Sequence, residues 1–219
     1  MGAGGPYTAR MDEPPAATPA ARAEPPDGAS VFLIGPMGSG KTAVGRALAR
    51  LLGFAFVDSD AEIEARTGVD IPFIFEKEGE EGFRLRERDV IADLTQRRGI
   101  VLATGGGAIL SPENRACLAR RGVAVYLEAS IRQQVERTRH ARNRPLLVDV
   151  DPRARLTKLM QVREPLYREV ADLHELGEPG ARLVVATDGR RVAAVAEEIR
   201  AGLAGLAGMP AERPAPAAP

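Results

Sequence analysis

The sequence is short of cysteine and of long apolar runs, and it has no excess of charge of either sign. Its single cysteine, Cys117, cannot form an internal disulfide, which is typical of a protein from a reducing compartment. Thirty basic residues balance thirty acidic ones among 219, so no overall charge attracts nucleic acid or a membrane surface. No apolar run approaches the roughly 18 residues that cross a bilayer, and the first residues lack the apolar core of a signal peptide. We therefore expect a cytoplasmic protein without nucleic-acid or membrane partners.

Large apolar residues are scarce at the two ends of the chain, where proline is concentrated. Residues 1–29 hold six of the seventeen prolines, and residues 208–219 hold four. Such segments cannot bury enough apolar surface to offset the entropy lost on ordering, so we expect two disordered tails. The remainder, residues 30–207, has the length of one globular domain.

Between the tails, short apolar runs alternate with segments of helical periodicity. The runs begin near residues 31, 54, 99, 123 and 182. Strands that alternate with helices predict a parallel sheet with helices on both faces. The first helix should end at Gly53 and bury one stripe of side chains: Val44, Ala47, Leu48, Leu51 and Leu52.

Lysine is also scarce, and one of only three lysines lies in a glycine-rich turn. The turn, GPMGSGKT at residues 35–42, matches the pattern G-x-x-x-x-G-K-[ST] between a predicted strand and a predicted helix. Its glycines let backbone amides point at an anion, the helix N-terminus adds partial positive charge, and Lys41 supplies a compact ammonium. Thr42 can place its hydroxyl on Mg²⁺. We therefore expect a site for nucleotide phosphates, the alternative being a turn that only caps a helix.

Two aspartates follow the second predicted strand. The spacing of Ser59 and Glu62 predicts a capping box and a helix that begins at Ser59. Asp58 and Asp60 then lie beside the glycine-rich turn, at the edge of a parallel sheet where ligands bind. A carboxylate there can hold a metal-bound water or accept a proton from an attacking hydroxyl. The alternative is that both carboxylates only favour the first turn of a helix.

Further on, one charged helix and one glycine run contribute candidate residues. Arg84 and Glu87 have the i, i+3 spacing of an ion pair that could aim the guanidinium inward, whereas Arg86 and Arg88 are expected on a solvated face. The stretch TGGGA, residues 104–108, follows a buried strand. Three consecutive glycines indicate close approach of the backbone to a ligand, and the alternative is a tight turn.

Arginine is concentrated in RTRHARNRPLL, residues 137–147, which has no apolar periodicity. We expect a mobile loop whose arginines close over phosphates, with a solvated basic face as the alternative. Arg144 is the strongest candidate because Pro145 stiffens the turn that follows it. His140 is expected to be exposed and without a role, and Arg163 lies on a later predicted helix.

Together, six motifs occur in the order and approximate spacing of the shikimate kinases, which the chain resembles from about residue 31 to residue 172: GPMGSGKT, DSDAEIEARTG, GEEGFRLRE, TGGGA, RNRPLL and REPLY. The resemblance implies an α/β, three-layer P-loop kinase fold with a five-stranded parallel sheet flanked by helices. It also implies a substrate-binding subdomain at residues 58–90 and a lid at about residues 138–151. The implied activity is transfer of the γ-phosphoryl group of ATP to the 3-hydroxyl of shikimate, with Mg²⁺, by a monomer on the route to aromatic amino acids.

The resemblance implies roles for individual residues as well. Lys41, Asp60 and Arg144 would be catalytic, with Asp60 holding the acceptor hydroxyl and Arg144 acting from the lid. Thr42 and Asp58 would serve the metal. ATP would meet the residues of the glycine-rich turn and two arginines, one against adenine: Gly38, Ser39, Gly40, Lys41, Thr42, Ala43, Arg137 and Arg144. Shikimate would meet a carboxylate clamp, backbone amides and an apolar wall: Asp60, Phe75, Phe83, Arg84, Glu87, Gly105, Gly106, Gly107 and Arg163.

Two regions depart from the family pattern. LHELGEPGAR, residues 173–182, intervenes before the last predicted strand, and the proline-rich tails have no counterpart. Two alternatives stay open at this point. One is another small-molecule kinase of the same architecture, such as a gluconate kinase, because paired arginines suit any compact carboxylate. The other is a non-catalytic ATP-binding protein that changes shape with its nucleotide.

Overall fold

The computed structural model describes residues 1, 29–139, 151–172 and 183–207. Within them, five strands form one parallel sheet in the order β2-β3-β1-β4-β5. This confirms the predicted parallel sheet. The strands are β1 (Ser30–Ile34), β2 (Ala55–Asp58), β3 (Ile100–Ala103), β4 (Gly122–Glu128) and β5 (Val184–Ala186). The helices are α1 (Lys41–Leu52), α2 (Ser59–Thr67), α3 (Ile71–Leu94), α4 (Pro112–Arg120), α5 (Ile131–Thr138), α6 (Pro152–Asp172) and α7 (Val192–Ala207).

Each face of the sheet carries its own apolar cluster. In β1, Val31 and Leu33 pack with α1 and α7, whereas Phe32 and Ile34 pack with α3, α4 and α6. All four side chains are fully buried. Because successive residues of a strand point to opposite faces, a strand covered on both sides is a continuous apolar run. The three layers therefore follow directly from the sequence of this strand.

Helix α1 begins after Gly40 and ends at Gly53, whose φ of 71° makes it the predicted stop. The predicted buried stripe is wrong at one position, since Leu51 is 36% exposed. Gly45 and Ala49, which the stripe left out, are buried instead. The buried face is thus rotated toward these small residues, which leaves Leu51 at its edge in the last turn.

Helix α2 begins at Ser59 as predicted, but the predicted capping residue is wrong. The cap is Asp58, whose Oδ1 accepts a hydrogen bond from the backbone N–H of Asp60 at 3.1 Å. Ser59 is fully buried, and its hydroxyl instead accepts from the N–H of Gly105 at 2.9 Å. The serine is therefore turned toward the loop after β3 and away from its own helix.

Helix α3 contains a kink at Gly79, where φ is 71° and ψ is −175°. A positive φ favours glycine, so this position lets one long helical segment change direction. Phe75 precedes the kink, whereas Phe83, Arg84 and Glu87 follow it. None of the described helices is long and apolar enough to cross a membrane.

Candidate active site

The glycine-rich turn between β1 and α1 wraps around the ammonium group of its own lysine. Lys41 Nζ donates to the carbonyl oxygens of Gly35 at 2.8 Å and Pro36 at 2.7 Å, and to Ser39 Oγ at 3.4 Å. Gly35 has a φ of 143°, and a Cβ there would lie 2.5 Å from the carbonyl oxygen of Leu127. A side chain cannot occupy this position, so the turn requires glycine. The result is a compact loop that holds one point charge at the start of a helix.

Thr42, in the first turn of α1, contacts Asp58, the last residue of β2. Thr42 Oγ1 donates to Asp58 Oδ2 at 2.8 Å, while Asp58 Oδ1 caps α2. Oxygen ligands of this kind suit Mg²⁺, which proteins bind through one or two side chains together with water and substrate phosphates. Among the described residues, no group of three or more His, Cys, Asp and Glu side chains could hold a metal. Two side-chain oxygens of this kind fit an ion that brings most of its own ligands.

The glycine run after β3 lies against the carboxylates of α2 and α3. A Cβ on Gly105 would lie 2.7 Å from Asp60 Oδ1 and 2.7 Å from Glu87 Oε1. The bond from the Gly105 N–H to Ser59 Oγ fixes this approach. A side chain at Gly105 would displace both carboxylates, which explains why a backbone without Cβ follows the strand. The fold thus brings Asp60, Glu87 and the predicted glycines together.

Arg84 lies over the same backbone and forms the predicted pair with Glu87. Arg84 Nη1 donates to Glu87 Oε2 at 2.7 Å, and Nη2 donates to Glu80 Oε1 at 2.8 Å. A Cβ on Gly107 would collide with the guanidinium of Arg84. Arg86 lies on the solvated face, as predicted, and pairs with exposed Glu78. Arg88, which was predicted on the same face, is half-buried. The helix therefore turns Arg84 inward and Arg86 outward.

Burial sets the electrostatics of this cluster. Glu87 is only 1% exposed, and burial raises the pKa of its carboxyl while the charge of Arg84 lowers it. Burial likewise lowers the pKa of Arg163, which is 4% exposed. For Arg84, burial lowers the pKa, but Glu87 and Glu80 together raise it above its usual value. The charges of the cluster therefore depend on one another.

Arg163 joins the cluster from α6. Its Nη1 donates to the carbonyl oxygen of Gly106 at 3.3 Å, and Tyr167 Oη donates to the same oxygen at 2.5 Å. Arg163 and Tyr167 are one helical turn apart, so both face the glycine run. Sequence reasoning missed Tyr167, although its i, i+4 spacing from Arg163 within REPLY was a usable signal.

Two aromatic rings border the cluster. The rings of Phe75 and Phe83 lie 4.8 Å apart between centroids, across the kink of α3. Arg84 Cζ lies 5.2 Å from the centroid of the Phe83 ring. Phe83 is buried and Phe75 is half-buried, so the pair offers an apolar surface beside the charged groups.

Arg137, at the end of α5, bridges the glycine-rich turn and the end of β5. Its Nη1 donates to the carbonyl oxygen of Gly38 at 3.0 Å and to Thr187 Oγ1 at 3.1 Å. Its Nη2 donates to the carbonyl oxygen of Thr187 at 2.9 Å. Sequence reasoning missed Thr187, since no local pattern links it to a helix fifty residues earlier. The arginine is thus placed at the outer side of the phosphate loop.

The part of the sequence that forms this site matches a known protein family. The model of the shikimate kinase family matches residues 37–201. The chain belongs to the shikimate kinase family. The match spans all the described elements that carry the candidate site except β1 and the first two residues of the phosphate loop.

Individual shikimate kinases are similar over most of the chain. The enzyme from Halorhodospira halophila is 56% identical over 175 residues, which are 80% of this chain and 93% of that protein. The enzyme from Burkholderia lata is 60% identical over 158 residues, or 72% of this chain and 86% of that protein. The solved structure of the Acinetobacter baumannii shikimate kinase, in complex with shikimate, is 47% identical with a TM-score of 0.72. It covers 78% of this chain and 90% of its own, and it confirms the P-loop kinase fold.

Several predictions for this shikimate kinase fall outside the described residues. Arg144, His140 and most of the predicted lid lie within residues 140–150, and the unusual insertion is residues 173–182. Nearly all of the two predicted tails, residues 2–28 and 208–219, lies outside as well. The roles of these segments stay predictions.

Proposed function

We propose that this shikimate kinase assigns its two substrates to two walls of one cleft, called here the donor wall and the acceptor wall. The donor wall comprises residues 35–43 and Arg137. The acceptor wall comprises Asp60, Phe75, Phe83, Arg84, Glu87, residues 105–107 and Arg163. The enzyme transfers the γ-phosphoryl group of ATP to the 3-hydroxyl of shikimate, which gives shikimate 3-phosphate for the chorismate pathway. Such a reaction needs alignment and neutralisation of charge more than covalent help from the protein.

On the donor wall, Lys41 is the cation for the β- and γ-phosphates. Its ammonium donates to backbone carbonyls of the same loop, so it is held beside the turn that an anion would enter. The backbone N–H groups that would bind phosphate oxygens belong to Gly38, Ser39, Gly40, Lys41, Thr42 and Ala43. Arg137 would lie against adenine, because it already contacts Gly38 and the end of β5.

The metal would be held by Thr42 and Asp58. Their side-chain oxygens lie 2.8 Å apart, close enough to share one cation or one of its waters. Thr42 and Asp58 would hold Mg²⁺, which would supply positive charge to offset the charge of the phosphates. Asp58 also fixes the first turn of α2, so the metal position and the direction of Asp60 are linked.

On the acceptor wall, Asp60 would receive the proton of the shikimate 3-hydroxyl. The hydroxyl oxygen bonds to the γ-phosphorus as the bond from that phosphorus to the ADP oxygen breaks, and the released proton passes to the carboxylate. Arg84 and Arg163 would clamp the shikimate carboxylate, with Glu87 orienting Arg84 through their 2.7 Å bond. The backbone of residues 105–107 would meet ring hydroxyls, and Phe75 and Phe83 would cover the apolar side of the ring.

Arg144 and the lid complete the proposal from the sequence alone. The motif RNRPLL would bring Arg144 to the phosphoryl group in transfer. We expect Arg144→Ala to lower kcat far more than it weakens shikimate binding. An unchanged kcat in that variant would remove the lid assignment.

The single observation that carries the acceptor assignment is the junction at Gly105, where two carboxylates from different helices lie within 2.7 Å of one absent Cβ. The test is a coupled assay of ADP release from ATP and Mg²⁺ with shikimate, quinate or gluconate. We expect release that depends on shikimate alone. ADP release stimulated by gluconate instead would favour the alternative kinase. If none of the three compounds stimulates ADP release although the protein binds ATP, the acceptor assignment is wrong and only the donor wall is supported. We also propose that the enzyme acts in the cytoplasm as a monomer. Light scattering would test its oligomeric state.

A further inference from the structure

Two buried tyrosines, Tyr126 on β4 and Tyr167 on α6, stack against each other behind the acceptor wall. Their ring centroids lie 5.1 Å apart with an angle of 17° between the planes. Both are at most 1% exposed. They differ in their hydroxyls: Tyr167 Oη donates to the carbonyl oxygen of Gly106, whereas Tyr126 Oη has no hydrogen-bond partner among the described residues. Of the two stacked rings, Tyr167 is thus the one whose hydroxyl bonds to the glycine run.

Gly106, the acceptor of that bond, lies where the two walls of the cleft meet. A Cβ on Gly106 would lie 3.3 Å from the backbone nitrogen of Met37 and 3.5 Å from the carbonyl oxygen of Gly35. One side of Gly106 therefore touches the phosphate loop, while its carbonyl oxygen faces α6. The orientation of this one peptide group affects both the amides offered to the acceptor and the spacing between the walls.

The same carbonyl oxygen also accepts from Arg163 Nη1 at 3.3 Å, a long hydrogen bond beside the short one from Tyr167. The hydroxyl therefore supplies most of the hydrogen bonding that this oxygen needs. Without it, the oxygen would depend on the guanidinium of Arg163, which would be drawn toward Gly106 and away from a bound carboxylate. Burial raises the pKa of Tyr167, so its hydroxyl stays protonated and remains a donor across the working pH range.

We propose that Tyr167 is a positioning residue for shikimate: its hydroxyl holds the Gly106 peptide and thereby leaves Arg163 available for the substrate carboxylate. This inference rests on the proposed function, in which Gly106 and Arg163 contact shikimate. Tyr167 acts through these two groups and does not touch the substrate itself.

The test compares Tyr167→Phe with Tyr126→Phe, which removes the corresponding hydroxyl from the other ring of the stack. Both variants keep the aromatic pair. We expect Tyr167→Phe to raise KM for shikimate about five- to tenfold while KM for ATP changes less than about twofold, which corresponds to loss of one buried hydrogen bond. Tyr126→Phe should leave both KM values and kcat unchanged. A thermal melt of each variant reports on packing separately.

An Arg163→Ala variant separates failure of this inference from failure of the proposed function. If Arg163→Ala leaves KM for shikimate unchanged, the acceptor wall itself is wrongly assigned. If Arg163→Ala raises KM for shikimate but Tyr167→Phe behaves as Tyr126→Phe does, the acceptor wall is correctly assigned. The positioning role of Tyr167 is then overturned. Equal rises in KM for both substrates in Tyr167→Phe would also overturn it, since they would indicate general loss of structure.

A second measurement does not depend on any variant folding. The chain has three tyrosines, so uniform replacement by 3-fluorotyrosine gives few fluorine resonances. We expect saturation with shikimate to shift the resonance of Tyr167 more than that of Tyr126. The reason is that Gly106 and Arg163 both contact the hydroxyl of Tyr167. Equal shifts, or no shift for Tyr167, would contradict the inference.

Discussion

The two walls of the cleft are built in different ways. On the donor wall, Lys41 donates to Gly35, Pro36 and Ser39, which lie two to six residues away in the sequence. On the acceptor wall, the bond from Gly105 to Ser59 spans 46 residues and the bond from Tyr167 to Gly106 spans 61. A short motif can therefore specify the phosphate loop. Arg137, whose bond to Gly38 spans 99 residues, and the acceptor wall are in place only once the sheet has formed.

The walls also differ in how they carry charge. The ammonium of Lys41 donates to two neutral backbone carbonyls and to one hydroxyl. The acceptor wall instead holds Arg84, Glu87 and Arg163 in close contact and largely buried, with pKa shifts in all three. Removing one partner of a buried pair leaves an uncompensated charge. Substitutions of these three residues should therefore alter stability as well as shikimate binding, whereas substitutions on the donor wall should alter turnover and ATP use.

The largest effect is expected at Asp60, the proposed base of the acceptor wall. Asp60→Asn keeps the size of the side chain but removes the base, so kcat should fall about 10²- to 10⁴-fold. The affinity for ATP, measured with a fluorescent nucleotide, should be close to that of the wild type. A variant that retains more than about a tenth of the wild-type rate would contradict the role as a base.

Lys41→Met should have the next largest effect and tests the donor wall alone. Loss of a preorganised charge at a transferring phosphoryl group should lower kcat/KM about 10²- to 10³-fold. Lys77→Met is the matched control, because Lys77 is exposed and pairs only locally with Glu76. Calorimetric binding of shikimate should be unchanged in both variants. A selective loss of shikimate binding in Lys41→Met would mean that the walls are not separable.

Arg84→Ala should combine a higher KM for shikimate with lower stability. It removes the partner of buried Glu87, which should cost about 3 kcal/mol, the lower end for a buried pair because the side chain of Arg84 is 21% exposed. Urea unfolding measures this change. Arg86→Ala is the control, since Arg86 pairs with Glu78 on the exposed face of the same helix. Similar losses of stability in the two variants would show that burial of Glu87 has little effect.

The stability loss of Arg84→Ala should also depend on pH. Burial raises the pKa of Glu87 and Arg84 lowers it, so removing Arg84 raises it further. The folded variant then binds a proton that the unfolded chain releases, and its free energy of unfolding falls as pH rises from about 4.3 through the raised pKa. The difference in the free energy of unfolding between wild type and Arg84→Ala should therefore be small near pH 4 and increase above it. A gap that is constant with pH would exclude Glu87 as its source.

Arg137→Ala should have the smallest effect. It removes hydrogen bonds to Gly38 and Thr187 on the exposed side of the donor wall, so KM for ATP should rise about three- to tenfold with little change for shikimate. Arg132→Ala, an exposed arginine of the same helix, is the control. Equal behaviour of the two variants in the coupled assay would remove Arg137 from the nucleotide site.

The difference between the walls also explains what could be predicted from the sequence. The phosphate loop, the five strands and the pair of Arg84 with Glu87 depend on local spacing or periodicity, and all were found. The hydroxyl of Ser59 was assigned to its own helix because a capping box is a local pattern, whereas its partner is the backbone of Gly105. Leu51 was misplaced because two small residues, Gly45 and Ala49, let the sheet approach another side of α1. Tyr167 and Thr187 escaped notice because their partners come from distant elements.

The hydrogen bonds of Lys41 have a consequence for the order of events in catalysis. Because the carbonyl groups of Gly35 and Pro36 accept hydrogen bonds from Lys41, the ammonium is held beside the backbone of its own loop before any nucleotide arrives. The loop is thus preorganised, and little conformational entropy is lost in it when ATP binds. Nucleotide capture then resembles an exchange of weak internal ligands for phosphate oxygens, which can proceed without unfolding and refolding the turn in each cycle.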